Sequence, residues 1–316
     1  MTAPTIRQTA LPDARSGPYG ITVGPDGALW LTLVHSGGIA RVEPGGAVET
    51  HPGDAASRPL AITTGPDGAL WFTRSGDDRI GRLTTAGEAT SVALPAGTAP
   101  CGIAAGPDGA LWYAGMSSDT VGRVGTDGAV TSFPLPMTGA FPSMIVAGPD
   151  DALWFTLNQA NAVGRIAPDG AVALHPLPTE AAGPVGITLG VDGALWFVEI
   201  AAGQLGRINA DGRIAEFPLP DRAARPHAIV ADPAGGCWFT EWAANRIGHV
   251  TPDGRIETYD LPTAQAEPHG VAVGPDGTVH AALEVGAIAH LTPDRPPHPL
   301  TAHLGPRARR RPTPPR

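Results

Sequence analysis

A motif of the form Pro-x-Gly-Ile, or a close variant, begins at Pro18, Pro59, Pro100, Pro142, Pro184, Pro226 and Pro268, with spacings of 41, 41, 42, 42, 42 and 42 residues. A fixed period of this length marks a chain built from one small supersecondary unit. Such a unit buries its apolar face only against its neighbours. Two further markers keep step with the first. Leu-Trp-Phe-Thr and its variants carry Trp30, Trp71, Trp112, Trp154, Trp196 and Trp238, with His280 at the seventh position. Variants of Ile-Gly-Arg-Ile run from Ile39-Ala40-Arg41-Val42 to Ile288-Ala289-His290-Leu291.

Each unit reads as four short strands. Gly-Ile-x-Val forms the first. A Gly-Pro-Asp-Gly turn follows, as at 24–27, 65–68, 106–109 and 274–277; Pro presets φ at the first corner and Asp-Gly supplies the left-handed position. The aromatic and β-branched Ala-Leu-Trp-Phe-Thr forms the second strand. Ile-Gly-Arg-Ile forms the third, and a second Asp-Gly turn leads to the fourth, as in Val130-Thr131-Ser132-Phe133. Glycine and proline number 42 and 35, a level at which disorder has to be weighed. Their fixed positions assign them to turns instead. No segment sustains a 3.6-residue period, so helix should be scarce.

Four strands in every 40–45-residue unit predict an all-β, seven-bladed β-propeller. Ile6-Arg7-Gln8-Thr9-Ala10-Leu11 aligns with a fourth strand, because Ile6 precedes Pro18 by the same 12 residues that separate Val130 from Pro142. This N-terminal strand is expected to complete the blade formed by 268–291 and to remove an open sheet edge. The domain reading is one propeller over 1–300, with a basic, Pro-rich disordered tail over 301–316.

Bulk properties narrow the functional classes. A net charge of −9 argues against nucleic acid. No run of about 20 apolar residues is present, so no membrane span is expected. Met1 to Leu11 lacks the pattern of a secretory signal, and Cys101 and Cys237 fall in different repeats. A reduced, cytoplasmic chain is therefore expected. Cys101 reads as structural lining and Cys237 as a core residue in a leucine position.

Topology then sorts the polar residues. If the first strand lines the channel, its start and the end of the second strand share one rim, because successive strands are antiparallel. The second motif position aims at the mouth of the channel and holds Tyr19, Leu60, Cys101, Ser143, Val185, His227 and His269. Glu267 precedes its Pro on that rim, and Glu241 and Glu284 are expected just past second strands. His227, Glu267, His269 and Glu284 should therefore meet. Two carboxylates suit Mg²⁺, and a neutral imidazole beside a divalent cation can act as general base. A second imidazole can hold or polarise a substrate, with Tyr19 on the same ring of positions. Trp242 is either a wall for an aromatic substrate or a packed loop residue.

With these markers, and with Pro226-His227-Ala228-Ile229, Glu267-Pro268-His269-Gly270-Val271 and Glu284, the chain resembles the virginiamycin B lyase (streptogramin B lyase) family from Ile6 to about Leu291. That resemblance implies a monomeric propeller and a Mg²⁺-dependent carbon–oxygen lyase that opens a cyclic depsipeptide antibiotic at its ester without water. It implies His269 as proton acceptor, Glu267 and Glu284 as carriers of Mg²⁺, and His227 as a substrate contact. One departure is the seventh second strand, Thr278-Val279-His280-Ala281-Ala282-Leu283, which lacks the Trp and Phe and is expected to alter the wall beside Glu284. A metal-dependent lactonase or esterase and a non-catalytic binding propeller are the alternatives on the same architecture.

Overall fold

The computed structural model describes residues 4–293. Among them are 28 strands, numbered β1 to β28 along the chain, and one three-residue 3₁₀ turn at Ala55–Ser57. The strands form seven antiparallel four-stranded sheets. Six of the sheets are continuous in sequence. The seventh takes β26 (Pro268–Val273), β27 (Val279–Leu283) and β28 (Ala287–Thr292) and is closed by β1 (Thr5–Ala10). Ile6 pairs with Leu291 and Ala10 with Ala287, and the Leu11 amide continues the seam to Gly286 O at 2.8 Å. The first and last parts of the described chain thus share one sheet, and no blade edge in the ring is left open by the join. The basic stretch 301–316 lies outside the described residues. Among the described residues no helix is long and apolar enough to cross a membrane.

The motif residues divide the work of folding. On the turn rim, the Asp of the turn bonds the indole of its own blade: Trp30, Trp71, Trp112 and Trp154 donate from Nε1 to Asp26, Asp67, Asp108 and Asp150 at 2.9–3.0 Å. The second oxygen of each accepts from the Arg of strand three at 2.6–2.8 Å. Turn, second strand and third strand are thereby pinned by one carboxylate. The repeated Arg is a partner of this carboxylate at the blade edge. The indoles are among the largest fully buried side chains, and large aromatic groups dominate the energetics of a core.

Neighbouring blades are stitched by the Thr that ends Leu-Trp-Phe-Thr. Thr32 Oγ1 donates to Leu60 O at 2.6 Å, Thr73 to Cys101 O at 2.8 Å and Thr240 to His269 O at 2.7 Å. Each bond reaches the first strand of the next blade at the residue that faces the channel mouth. First strands crowd closely there: a Cβ on Gly270 would stand 2.6 Å from Tyr19 O of the adjoining blade. Cys101 and Cys237 are buried free thiols.

The seventh second strand departs from expectation in where its unusual residues act. His280 and His290 replace the Trp and Arg of the turn latch, bond each other through Nδ1 at 2.8 Å, and His290 Nε2 bonds Thr9 Oγ1 of the closing strand at 3.0 Å. Ala281 is fully buried. Four residues along a strand span about 13 Å, so His280 stands near the turn rim, away from Glu284. The wall beside Glu284 is not altered by this substitution.

Candidate active site

The rim opposite the turns has its own repeated backbone device. The residue before each Pro takes a positive φ, from 42° at Ala99 to 69° at Gly17, with Glu267 at 51°. Its carbonyl accepts from the amide one position after the pairing partner of Pro, as in Glu284 N to Glu267 O at 3.2 Å and Trp242 N to Arg225 O at 3.1 Å in the neighbouring blade. A non-glycine residue held in the left-handed region carries a conformational penalty. For Glu267 that backbone turns the residue onto the same rim as Glu284.

The four polar residues singled out from the sequence do converge. Ligand atoms of Glu267, His269 and Glu284 all lie within 4.8 Å of one another. His269 Nε2 stands 2.5 Å from Glu284 Oε2. The His227 and His269 rings meet edge to face at a centroid distance of 4.8 Å. Tyr19, brought in from the first blade by ring closure, stacks on His269 at 4.5 Å and shares a 3.2 Å hydrogen bond with His227 Nε2. Below them the first strands enclose a cavity of about 190 Å³ lined by Tyr19, Leu60, Met144, His227 and Gly270 among others.

Burial sets the charge states. It pushes His227 down to about 3, with the neighbouring His269 adding to the effect. It pushes His269 down to about 4, with His35 adding to the effect, because burial disfavours the charged ring. Both imidazoles are neutral at pH 7. The Tyr19 hydroxyl is held well above its ordinary range by burial, then by Cys101 and Glu284, so it remains a hydrogen-bond donor. The His269 carbonyl is fixed by Thr240, and its Nδ1 is buried without a hydrogen bond. A neutral imidazole beside the carboxylates at the mouth is of the type that accepts a proton.

Glu241 stands differently from the sequence reading, and Trp242 and His35 complete this rim. Glu241 is the last residue of its strand, Cys237–Glu241, and pairs with Pro226. Glu284 lies one residue beyond the position that pairs with Pro268. Glu241 is therefore turned into the blade, 1% exposed and 3.7 Å from Arg246, and takes no part in the cluster. Trp242 holds the place equivalent to Glu284 one blade earlier and lies under the Arg225 guanidinium at 5.9 Å. His35 was not singled out from the sequence, yet its Nε2 lies 3.1 Å from Glu284 Oε1. The available signal was ring closure: once β1 joins the seventh blade, the first blade is its neighbour, and a residue just past Leu29–Leu33 falls beside Glu284.

A seven-bladed propeller with paired carboxylates and neutral imidazoles at one mouth of its channel defines the class of this molecule. The Virginiamycin B lyase family model matches residues 4–291, and the chain belongs to that family. It is similar to the crystal structure of virginiamycin B lyase from Staphylococcus aureus, with 41% identity, a TM-score of 0.88, and coverage of 92% of this chain and 99% of that one. A catalytically inactive form of that enzyme with quinupristin matches at 40% identity and TM-score 0.88, again over 92% and 99% of the two chains. A virginiamycin B lyase from Saccharopolyspora erythraea is 67% identical over 46 residues, a stretch covering 15% of each chain.

Proposed function

We propose that this chain is a Mg²⁺-assisted carbon–oxygen lyase that linearises type B streptogramins or closely similar cyclic depsipeptides. The observation that carries the reading is the meeting of Glu267, His269 and Glu284 within 4.8 Å in a family whose structurally similar member was crystallised with quinupristin. The two carboxylates fit a hard divalent cation, for which oxygen donors are preferred and water completes the shell. Glu267 and Glu284 would hold it. When bound, such an ion polarises a carbonyl and stabilises negative charge developing beside it.

The chain's own residues account for the rest. His269, neutral at pH 7, accepts the α-proton of the residue whose side-chain oxygen forms the ring ester. The electron pair of that C–H bond becomes the Cα=Cβ bond as the Cβ–O bond breaks. The ester leaves as a carboxylate, and no water is consumed. Tyr19 and His227, hydrogen-bonded to each other, form a polar wall across from Glu284 and orient the peptide. Trp242 supplies an apolar face one blade away. The channel cavity of about 190 Å³ is too small for the whole antibiotic, so the substrate lies across the mouth. We further propose that the enzyme acts as a monomer in the cytoplasm, where its two buried thiols stay reduced.

The test is incubation with a type B streptogramin and Mg²⁺ followed by mass spectrometry. Elimination gives a linear peptide of unchanged mass. Gain of one water reports a hydrolase on the same scaffold, and an intact ring under all conditions overturns both.

A further inference from the structure

His35 lies outside the set just assigned, but three features of the structure fit it to the same site. Its Nε2 stands 3.1 Å from Glu284 Oε1, the carboxylate oxygen that His269 does not bond. An ionised carboxylate only accepts hydrogen bonds, so the nitrogen facing it carries the proton. Its backbone is anchored, with the His35 amide donating to Ser16 O at 3.1 Å and the preceding Val34 amide to Gly17 O at 2.8 Å. Its ring has a prepared seat: a Cβ on Gly17 would stand 2.6 Å from His35 Nδ1. Gly17 occupies the position that carries Glu267 in the seventh blade, at a positive φ of 69°. Where the seventh blade projects a carboxylate, the first blade clears space for an imidazole.

The geometry points to His35 as a positioning residue: its Nε2–H holds Glu284 Oε1 so that the carboxylate plane presents its other oxygen to His269 and Glu267. Without it, Glu284 keeps one side-chain partner, His269, and is free to rotate about its last torsion. Carboxylates that ligate metals depend on such outer partners, whose loss weakens metal affinity or activity by about 10- to 100-fold. The inference rests on the proposed role of Glu284 as a metal ligand. It assigns to the first blade, which already brings Tyr19 across the ring closure, a share in holding the carboxylates of the seventh.

The test is Mg²⁺ binding measured by calorimetry without substrate, and the Mg²⁺ dependence of turnover, for wild type, His35→Ala, His35→Gln and Gly17→Ala. His35→Ala should weaken Mg²⁺ binding by about 10-fold or more and shift the Mg²⁺ requirement of turnover upward, with KM for the peptide little changed. His35→Gln, which keeps an N–H at similar reach, should recover most of the affinity. Gly17→Ala, which displaces the ring without touching Glu284, should behave as His35→Ala. Glu267→Gln and Glu284→Gln separate the two layers of the argument. If both lose Mg²⁺ while His35→Ala and Gly17→Ala bind as wild type does, the role of His35 is overturned and the proposed metal site stands. If wild type binds no Mg²⁺, or these Gln variants bind it undiminished, both fall together.

Discussion

The two rims of the ring are built from the same strands and read very differently. The turn rim repeats: an Asp, an indole and an Arg are joined in blade after blade, with Asp–Arg contacts that stay within 2.6–2.9 Å across five blades. The mouth rim repeats only in its backbone. Its positive-φ residues and their carbonyl bonds recur around the ring, while the side chains range from Gly17 and Ala99 to Phe141 and Glu267. Repetition at one rim maintains the fold, and departure from repetition at the other builds a site. Chemistry is therefore concentrated where blades six, seven and one meet. The other blades carry Leu60, Cys101, Ser143 and Val185 at the same register.

This contrast can be broken by substitutions on each rim. His269→Ala should lower turnover by about 10²- to 10⁴-fold, the range for loss of a general base, while its melting curve overlays that of wild type. A variant that kept its activity would remove the mouth from the account. Trp112→Ala should do the reverse. The indole is fully buried and bonded to Asp108, so the loss should be about 3–5 kcal/mol of stability by denaturant titration, with kcat per folded molecule unchanged.

A smaller, pH-dependent effect is expected at Glu199, whose carboxyl is buried against Gln204 Nε2 at 2.7 Å. Burial holds its pKa up at about 7. Between the ordinary value of 4.5 and about 7 the folded state retains a proton that the unfolded state releases. This group's contribution therefore falls as pH rises through that window. Glu199→Gln should remove that slope, gaining up to about 3 kcal/mol at pH 8 relative to pH 4.5. Parallel melting curves for the two proteins across that range would refute the assignment. The smallest effect should come from Arg123→Ala. Its contact with Asp108 is partly exposed, and such pairs contribute about 0–1 kcal/mol; a loss well beyond that would show the latch to be cooperative.

How much could be read before the structure follows from the same contrast. The blades were legible because Pro, Asp-Gly and Trp fall at fixed intervals, and the closing strand because Ile6 keeps the interval of a fourth strand. His227, Glu267, His269 and Glu284 stood out as polar interruptions at positions the topology sends to one mouth. What escaped depended on single-residue register or on contacts across the join. Glu241 looked equivalent to Glu284, but the two differ by one place relative to their Pro residues, and one place in a strand exchanges the two faces. His280 looked close to Glu284 because four residues separate them in sequence, whereas a strand runs from rim to rim over that length. His35 sits in a loop whose partner is 249 positions away, beyond the ring closure, and no local pattern marks it.

The central claim is that the imidazoles and carboxylates at this mouth break a carbon–oxygen bond by removing a proton rather than by adding water. Turnover of a type B streptogramin in heavy-oxygen water, by wild type and His269→Ala side by side, tests it most directly. The account requires an open, unlabelled peptide from wild type and an intact ring from the variant. Heavy oxygen in the released carboxylate, or ring opening by the variant at the wild-type rate, would contradict it.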